Sequence, residues 1–326
     1  MKAEIFTVSV VFGTTFIITA IILRWLIPIL RSKKMGQKIL DIGPRWHKDK
    51  EGTPTMGGIA FISACLVVLT VFCMYKSVAG ENVGSLIFTL LYAVSSALIG
   101  ITDDLNKLKK KQNEGLTAIQ KYTLQLICSA VYIIAMRYMG YIDTVVGIPF
   151  TDYSFDLGVF YYIFALLFLT GFNNAVNLTD GIDGLCSGVT AIVSLYFGIL
   201  GLKNDAVMLE LLAFAVLGGC LGFLVYNYHP AKVFMGDTGS LFLGAAVSGM
   251  AIMSENELIL FLIGAVYVLE TVSVILQVLW YKMTKKRLFL MAPFHHHLEK
   301  KRWSEVKITL IAAFVTFLIS VVLLVN

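Results

Sequence analysis

Residues 157–184 read LGVFYYIFALLFLTGFNNAVNLTDGIDG. From Leu157 to Thr179 the run carries no Asp, Glu, Lys or Arg. It is long enough to cross a bilayer core, which takes about 20 mostly apolar residues. Its last two turns hold Asn173, Asn174 and Asn177, and it closes on a tight turn bearing Asp180 and Asp183. Nine more stretches have similar length and apolarity: residues 5–23, 56–75, 83–101, 122–136 (the shortest), 184–202, 211–228, 238–254, 258–281 and 308–325. The expected fold is therefore an all-α integral membrane protein with ten transmembrane helices, organised as a single polytopic domain over residues 1–326.

Composition agrees. The chain is 58% hydrophobic and 14% charged, with a mean hydropathy of +0.81, whereas soluble domains carry about 25% charged residues. So few charges cannot solvate the surface of one or two soluble domains, and the apolar excess must face lipid. The formal charge of +5 belongs to no separate basic domain, so nucleic acid is not an expected partner. Cys65, Cys73, Cys128, Cys186 and Cys220 are odd in number, lack CxxC spacing and lie in apolar runs, which reads as packing and not as a disulfide or zinc framework. The first span lacks a strongly basic start and a clear small-residue cleavage site, so it reads as a helix and not a leader. Gly218 and Gly222 form a GxxxG that suits close helix packing.

With alternating loops, 22 of the 26 Lys and Arg fall on one side and four on the other. Cytoplasmic loops carry the excess, so both termini are expected outside. Against that bias, five carboxylates sit at inner span ends: Asp103, Asp104, Asp180, Asp183 and Asp237. They come from three loops yet share one depth. Clustered acids near lipid repel unless cations compensate, which points to a hard divalent cation, magnesium, held by carboxylates and phosphate oxygens. Helix capping would account for Asp183 before Gly184 or Asp237 before Thr238. It does not account for Asp103, which ends its helix where the dipole disfavours an anion.

Asn173, Asn177 and Asp180 follow at steps of four and three and share a helix face. GDTGS, residues 236–240, offers backbone amides at a helix start, suited to an anion. In GPRWHKDKEGTPTMGG, residues 43–58, Lys48 and Lys50 are phosphate candidates; Thr53 and Pro54 read as the start of the second span, and Gly57 with Gly58 as a close-packing patch. Lys107, Lys109, Lys110 and Lys111 follow the aspartate pair. Anchoring explains most inner lysines, so only a few are left for phosphate. His295, His296 and His297 are consecutive and cannot all face one ion from a regular helix, which disfavours zinc and suits hydrogen bonding to sugar or phosphate. Glu270, deep in the ninth span with Gln277 below it, is either functional or bonded to a neighbouring helix.

GTPTMGG, the Asp103–Asp104 pair with its lysines, NAVNLTDGIDGL, FMGDTGS and PFHHHLE together resemble the polyprenyl-phosphate N-acetylhexosamine-1-phosphate transferases, in that family's order and across nearly the whole chain. The histidine block favours the branch that handles MurNAc-pentapeptide. The resemblance implies transfer of phospho-MurNAc-pentapeptide from its UDP carrier to undecaprenyl phosphate at the bacterial inner membrane, with a cytoplasmic cleft, lipid I and UMP as products, and Mg²⁺ on Asp237. It implies catalytic roles for Asp103, Asp104, Asp237 and His295. Substrate contacts carry over to Lys50, Thr55, Lys107, Lys111, Asn174, Asn177, Asp180, Gly181, Asp183, Asn227, Phe234, His295 and His296. It further implies nucleoside natural-product inhibitors, contact with membrane lipids, a homodimer and a bent ninth helix. Ile182 stands where Leu is frequent. Two competing readings are a GlcNAc-1-phosphate transferase and, from a different class, a secondary transporter. A transporter would concentrate ionisable groups at mid-depth, not at one end.

Overall fold

The computed structural model describes residues 2–33, 50–110, 115–151 and 153–325. The chain is mostly helical. Its elements are α1 (Lys2–Ser32), α2 (Gly58–Val78), α3 (Gly84–Lys110), α4 (Ala118–Tyr138), the strands β1 (Val145–Gly147) and β2 (Ser154–Asp156), α5 (Phe160–Thr179), α6 (Leu185–Lys203), α7 (Val207–Asn227), α8 (Gly236–Met253), α9 (Glu257–Ile263), α10 (Ala265–Thr284), α11 (Phe294–Lys300) and α12 (Glu305–Val325). Among the described residues nine helices are long and apolar enough to cross a membrane: α1 to α7, α10 and α12. Backbone polar groups are satisfied within each helix, which is what lipid demands of a spanning segment. β1 and β2 form a small antiparallel hairpin, with Val146 opposite Phe155.

The eighth sequence span is α8, and its place in the fold explains its composition. Every residue from Thr238 to Ile252 is buried, with α3 and α5 packed along it. A helix enclosed by protein needs small residues for close approach more than it needs long apolar side chains. Gly58 of α2 shows how tight this is: a Cβ there would lie 2.4 Å from the Cα of Gly239. On the other side of the molecule α1 packs against α7 through the GxxxG, because a Cβ on Gly218 or Gly222 would meet the carbonyl oxygens of Phe12 and Phe16 at 2.4 and 2.7 Å.

The structure moves several sequence boundaries: α1 runs on to Ser32 and α3 to Lys110, so Asp103 lies inside its helix and does not end it. α4 is longer than the shortest span suggested, because the Thr117 side chain accepts from the Gln120 amide and Gln120 reaches back in a capping box, starting the helix before its apolar run. The ninth span is two helices broken at Gly264, with Phe261 of α9 wedged against Phe168 and Phe172 at 5.8 and 5.1 Å. Thr53 and Pro54 do not start α2. That segment runs extended: Phe234 N–H donates to Pro54 O at 2.8 Å, and Gly57 N–H to Phe234 O at 2.8 Å. The strap therefore joins the start of α2 to the start of α8.

Candidate active site

Three elements meet at the start of α8. Asp103 and Asp104 lie on α3, Asp237 in the first turn of α8, and one carboxylate oxygen from each lies within 4.8 Å of the others. Lys107, one turn beyond Asp103, holds Asp103 Oδ2 at 2.6 Å and Asp237 Oδ2 at 2.9 Å. Lys121 of α4 reaches the same Asp237 oxygen at 2.9 Å. Asn177, in the last turn of α5, donates to Asp237 Oδ1 at 2.9 Å and to Ser240 Oγ at 2.7 Å. Asp103 Oδ1 accepts the Leu116 amide at 2.7 Å, tying the chain between α3 and α4 to the site. Thr55 borders Gly236 from the strap.

Three carboxylates and two ammonium groups converge here, a surplus of negative charge that suits a hard divalent cation. Asp180, just past the end of α5, lies close enough to feel that surplus. Burial pushes its carboxyl up to about 8, helped by the charges of Asp237, Asp104 and Asp183, with Lys50 opposing. Bringing phosphate to such a place requires cations beside the acids, and Lys107 and Lys121 supply them.

A second cluster lies at the TDGIDG turn. Lys50 is clamped between Asp183 Oδ1 and Glu305 Oε2, each at 2.6 Å. The other Asp183 oxygen takes the Ala231 amide at 3.0 Å and faces His229 Nδ1 at 2.9 Å. Asp183 is thus no cap for α6, whose N-cap is Gly184 in a left-handed conformation at φ 76° without a side-chain cap. Asn227 is also committed to structure: it accepts from the Gly184 amide at 3.1 Å and donates to Val233 O at 2.9 Å. Asp183, His229 and Glu305 could hold a metal by proximity, and the Lys50 ammonium already bridges the two carboxylates among them. Phe234, half-buried, flanks the strap beside this cluster.

The three histidines diverge. His295 is buried, its Nδ1 3.1 Å from Glu270 Oε2, and its backbone amide donates to the same oxygen at 3.2 Å. Its ring lies on the TDGIDG turn, so that a Cβ on Gly181 would come 2.2 Å from Nε2; Nε2 is buried with no hydrogen-bond partner among the described residues. His296 pairs with Glu299 at 2.6 Å. His297 accepts the Leu290 amide at 3.1 Å and stacks on Phe294, a structural role. Gln277 caps the Leu288 and Phe289 amides. Glu270 therefore anchors the histidine loop.

The sequence model of Glycosyl transferase family 4 matches residues 85–255, and the signature described as phospho-N-acetylmuramoyl-pentapeptide-transferase signature 1 matches residues 50–62. Curated proteins named phospho-N-acetylmuramoyl-pentapeptide-transferase match along most of the chain. The Bacillus subtilis protein is 45% identical over 306 residues, covering 94% of this chain and 92% of its own. The Listeria welshimeri protein is 44% identical over 301 residues, covering 92% and 91%. The chain belongs to the phospho-N-acetylmuramoyl-pentapeptide-transferase family.

For a member of this transferase family, the matched regions divide the site in an informative way. The signature covers Lys50, Thr55 and the strap; the family 4 region covers all five inner aspartates with Lys107, Lys121, Asn177, Asn227 and Phe234; the histidine loop lies outside both. Of the residues expected from sequence, Asp103, Asp104, Lys107, Asn177 and Asp237 come together directly, and Lys50 with Asp183 forms the neighbouring cluster. Asn174 turns away, donating to Gln125 Oε1 of α4 at 2.7 Å. Lys48 and Lys111 lie outside the described residues. Sequence reading missed Lys121, Glu305 and His229. The capping box just before Lys121 was the one available signal, since it fixes which way that lysine leaves α4.

Proposed function

We propose that the chain transfers phospho-MurNAc-pentapeptide from UDP-MurNAc-pentapeptide to undecaprenyl phosphate, giving lipid I and UMP, in the inner membrane of a bacterium. The observation that carries this reading is the convergence of Asp103, Asp237, Lys107 and Lys121 at the start of α8. The names of the relatives and the matched signature support the pentapeptide substrate over a GlcNAc one. In this reading ten helices span, α8 included. The 22 to 4 division of Lys and Arg puts the termini outside and the cleft on the cytoplasmic side. Family likeness extends the proposal to nucleoside natural-product inhibitors and a homodimer.

The reaction joins a lipid phosphate to a sugar diphosphate, so the task is to bring several negative charges together in line. An oxygen of the lipid phosphate attacks the sugar-bearing phosphorus, the bond to the UMP oxygen breaks, and UMP leaves. Lys107 and Lys121 screen the phosphates on one side and Lys50 on the other. Asp103, held by Lys107, accepts or orients the proton of the attacking phosphate. Asp237 is the residue that would hold Mg²⁺, whose chemistry is to offset charge on the diphosphate. Asp180, Gly181 and Asp183 line the turn under His295. His295 and His296 are placed toward the sugar phosphate, and Asn177 orients Asp237.

The test is UMP release from different UDP-sugars by purified protein, with and without Mg²⁺ and undecaprenyl phosphate. UMP release that needs UDP-MurNAc-pentapeptide, lipid phosphate and Mg²⁺ is the expected result. Release from UDP-GlcNAc alone would overturn the substrate. Exchange of labelled UMP into the UDP-sugar without lipid phosphate would overturn direct attack in favour of an aspartyl intermediate.

A further inference from the structure

Asp103 and Asp104 are neighbours on α3, and proximity alone would make both of them partners of Asp237 in holding a cation. Their hydrogen bonds say otherwise. Successive helical side chains point about 100° apart, so one of the pair faces the lysines and the other faces the end of α8. Asp104 Oδ2 accepts from the Thr238 amide at 2.9 Å and from its hydroxyl at 2.7 Å. Asp104 Oδ1 takes the Asp237 amide at 3.3 Å. Asp104 is buried. Met235, the N-cap residue of α8, supplies no side-chain cap of its own, so these first-turn amides have no local partner. Gly236 turns with φ at +69°, and a Cβ there would lie 2.5 Å from Asp104 Oδ2. The lack of a side chain lets the backbone close onto the carboxylate. The positive end of α8 rewards an anion at that spot.

We infer that Asp104 is a positioning residue: a carboxylate lent by α3 that caps α8 and fixes where Asp237 projects, while Asp103 alone of the pair works on the reactants. The inference rests on the reading above in which Asp237 holds the cation, and it divides a pair that sequence treats as one motif.

The test uses the full-length protein in detergent, with Asp104→Asn, Thr238→Val and the double variant. Two quantities are read: the thermal unfolding midpoint with divalent ions removed, and Mn²⁺ affinity by electron paramagnetic resonance. As a cap, Asp104→Asn lowers the metal-free midpoint, Thr238→Val lowers it less, and the double variant falls no further than Asp104→Asn. Mn²⁺ still binds at one per chain in each, weakened several-fold by Thr238→Val and tenfold or more by Asp104→Asn. A metal-free midpoint that rises in Asp104→Asn, as relief of carboxylate repulsion would give, overturns the cap. So does a Thr238→Val that is silent in both readouts. A lowered midpoint with unchanged Mn²⁺ affinity overturns the positioning of Asp237. If the unaltered protein binds no Mn²⁺, the metal reading fails, while the midpoints still decide the cap. Should Asp104→Asn not fold, Thr238→Val carries both readouts alone.

Discussion

Lys121 donates to Asn177 as well as to Asp237, so Lys121→Met keeps the apolar stem and removes two charge-assisted bonds. Such bonds contribute roughly 1.5–3 kcal/mol, and kcat/KM is expected to fall about 10- to 100-fold, measured as UMP release. A wild-type rate would place the lysine among the anchoring cations. Asp180 gives a pH dependence. Its folded pKa of about 8 lies above the unfolded value of about 3.9, so the folded state binds the extra proton between them. Its contribution to stability is full below the unfolded value and is lost as pH rises through the folded one. Without divalent ions, the unfolding midpoint should fall as pH rises from about 4 to 8, and Asp180→Asn should flatten that fall. A slope unchanged by the substitution would sink the assignment. The aspartates were legible in sequence because an acid at an inner span end contradicts its surroundings. Lys121 was not, because a site lysine and an anchoring lysine look alike on a basic face. Nor was Glu305, whose partner Lys50 lies 255 residues away.

Helices were read most reliably where lipid dictates composition. α1 to α5 and α12 leave half or more of their spans unburied, and a long apolar run announces each one, as it also does the more enclosed α6 and α7. In α8 the signal weakens. α8 is built from small residues because α3 and α5 enclose it, and the break at Gly264 follows from how α9 seats its aromatic ring, neither of which hydropathy records. The start of α2 was misread for a related reason. Thr53 and Pro54 have the chemistry of a helix start, but backbone pairing with residue 234 holds that segment extended. The α1–α7 seam offers a test at this scale. Gly218→Leu drives a side chain into the carbonyl of Phe12 and is expected to cost roughly 1–3 kcal/mol, the usual range for overpacking. The observable is a lower unfolding midpoint in detergent, with KM for the nucleotide sugar unchanged because the seam is remote from the aspartates. An unchanged midpoint would show that α1 does not pack there.

Over the whole molecule, charge carries the proposed orientation. In that reading the net +5 divides into an inner surface rich in Lys and Arg and an outer one with four, with the site's acids on the basic side. Ala79→Cys and Lys286→Cys, both at exposed positions and on opposite sides in the proposed topology, test the arrangement. A membrane-impermeant thiol reagent should label the first in intact cells and the second only after permeabilisation; the reverse pattern would invert the topology. The enclosure of α8 has a further consequence, for biogenesis. A segment with no face left for lipid in the finished fold must exchange any early contact with lipid for contact with protein. Its neighbours α3 and α5 precede it in the chain and are synthesised before it. Asp237 enters the bundle at the leading turn of the arriving helix, so docking of the eighth segment brings it to Asp103 and Lys107 before the histidine loop and Glu305 are made.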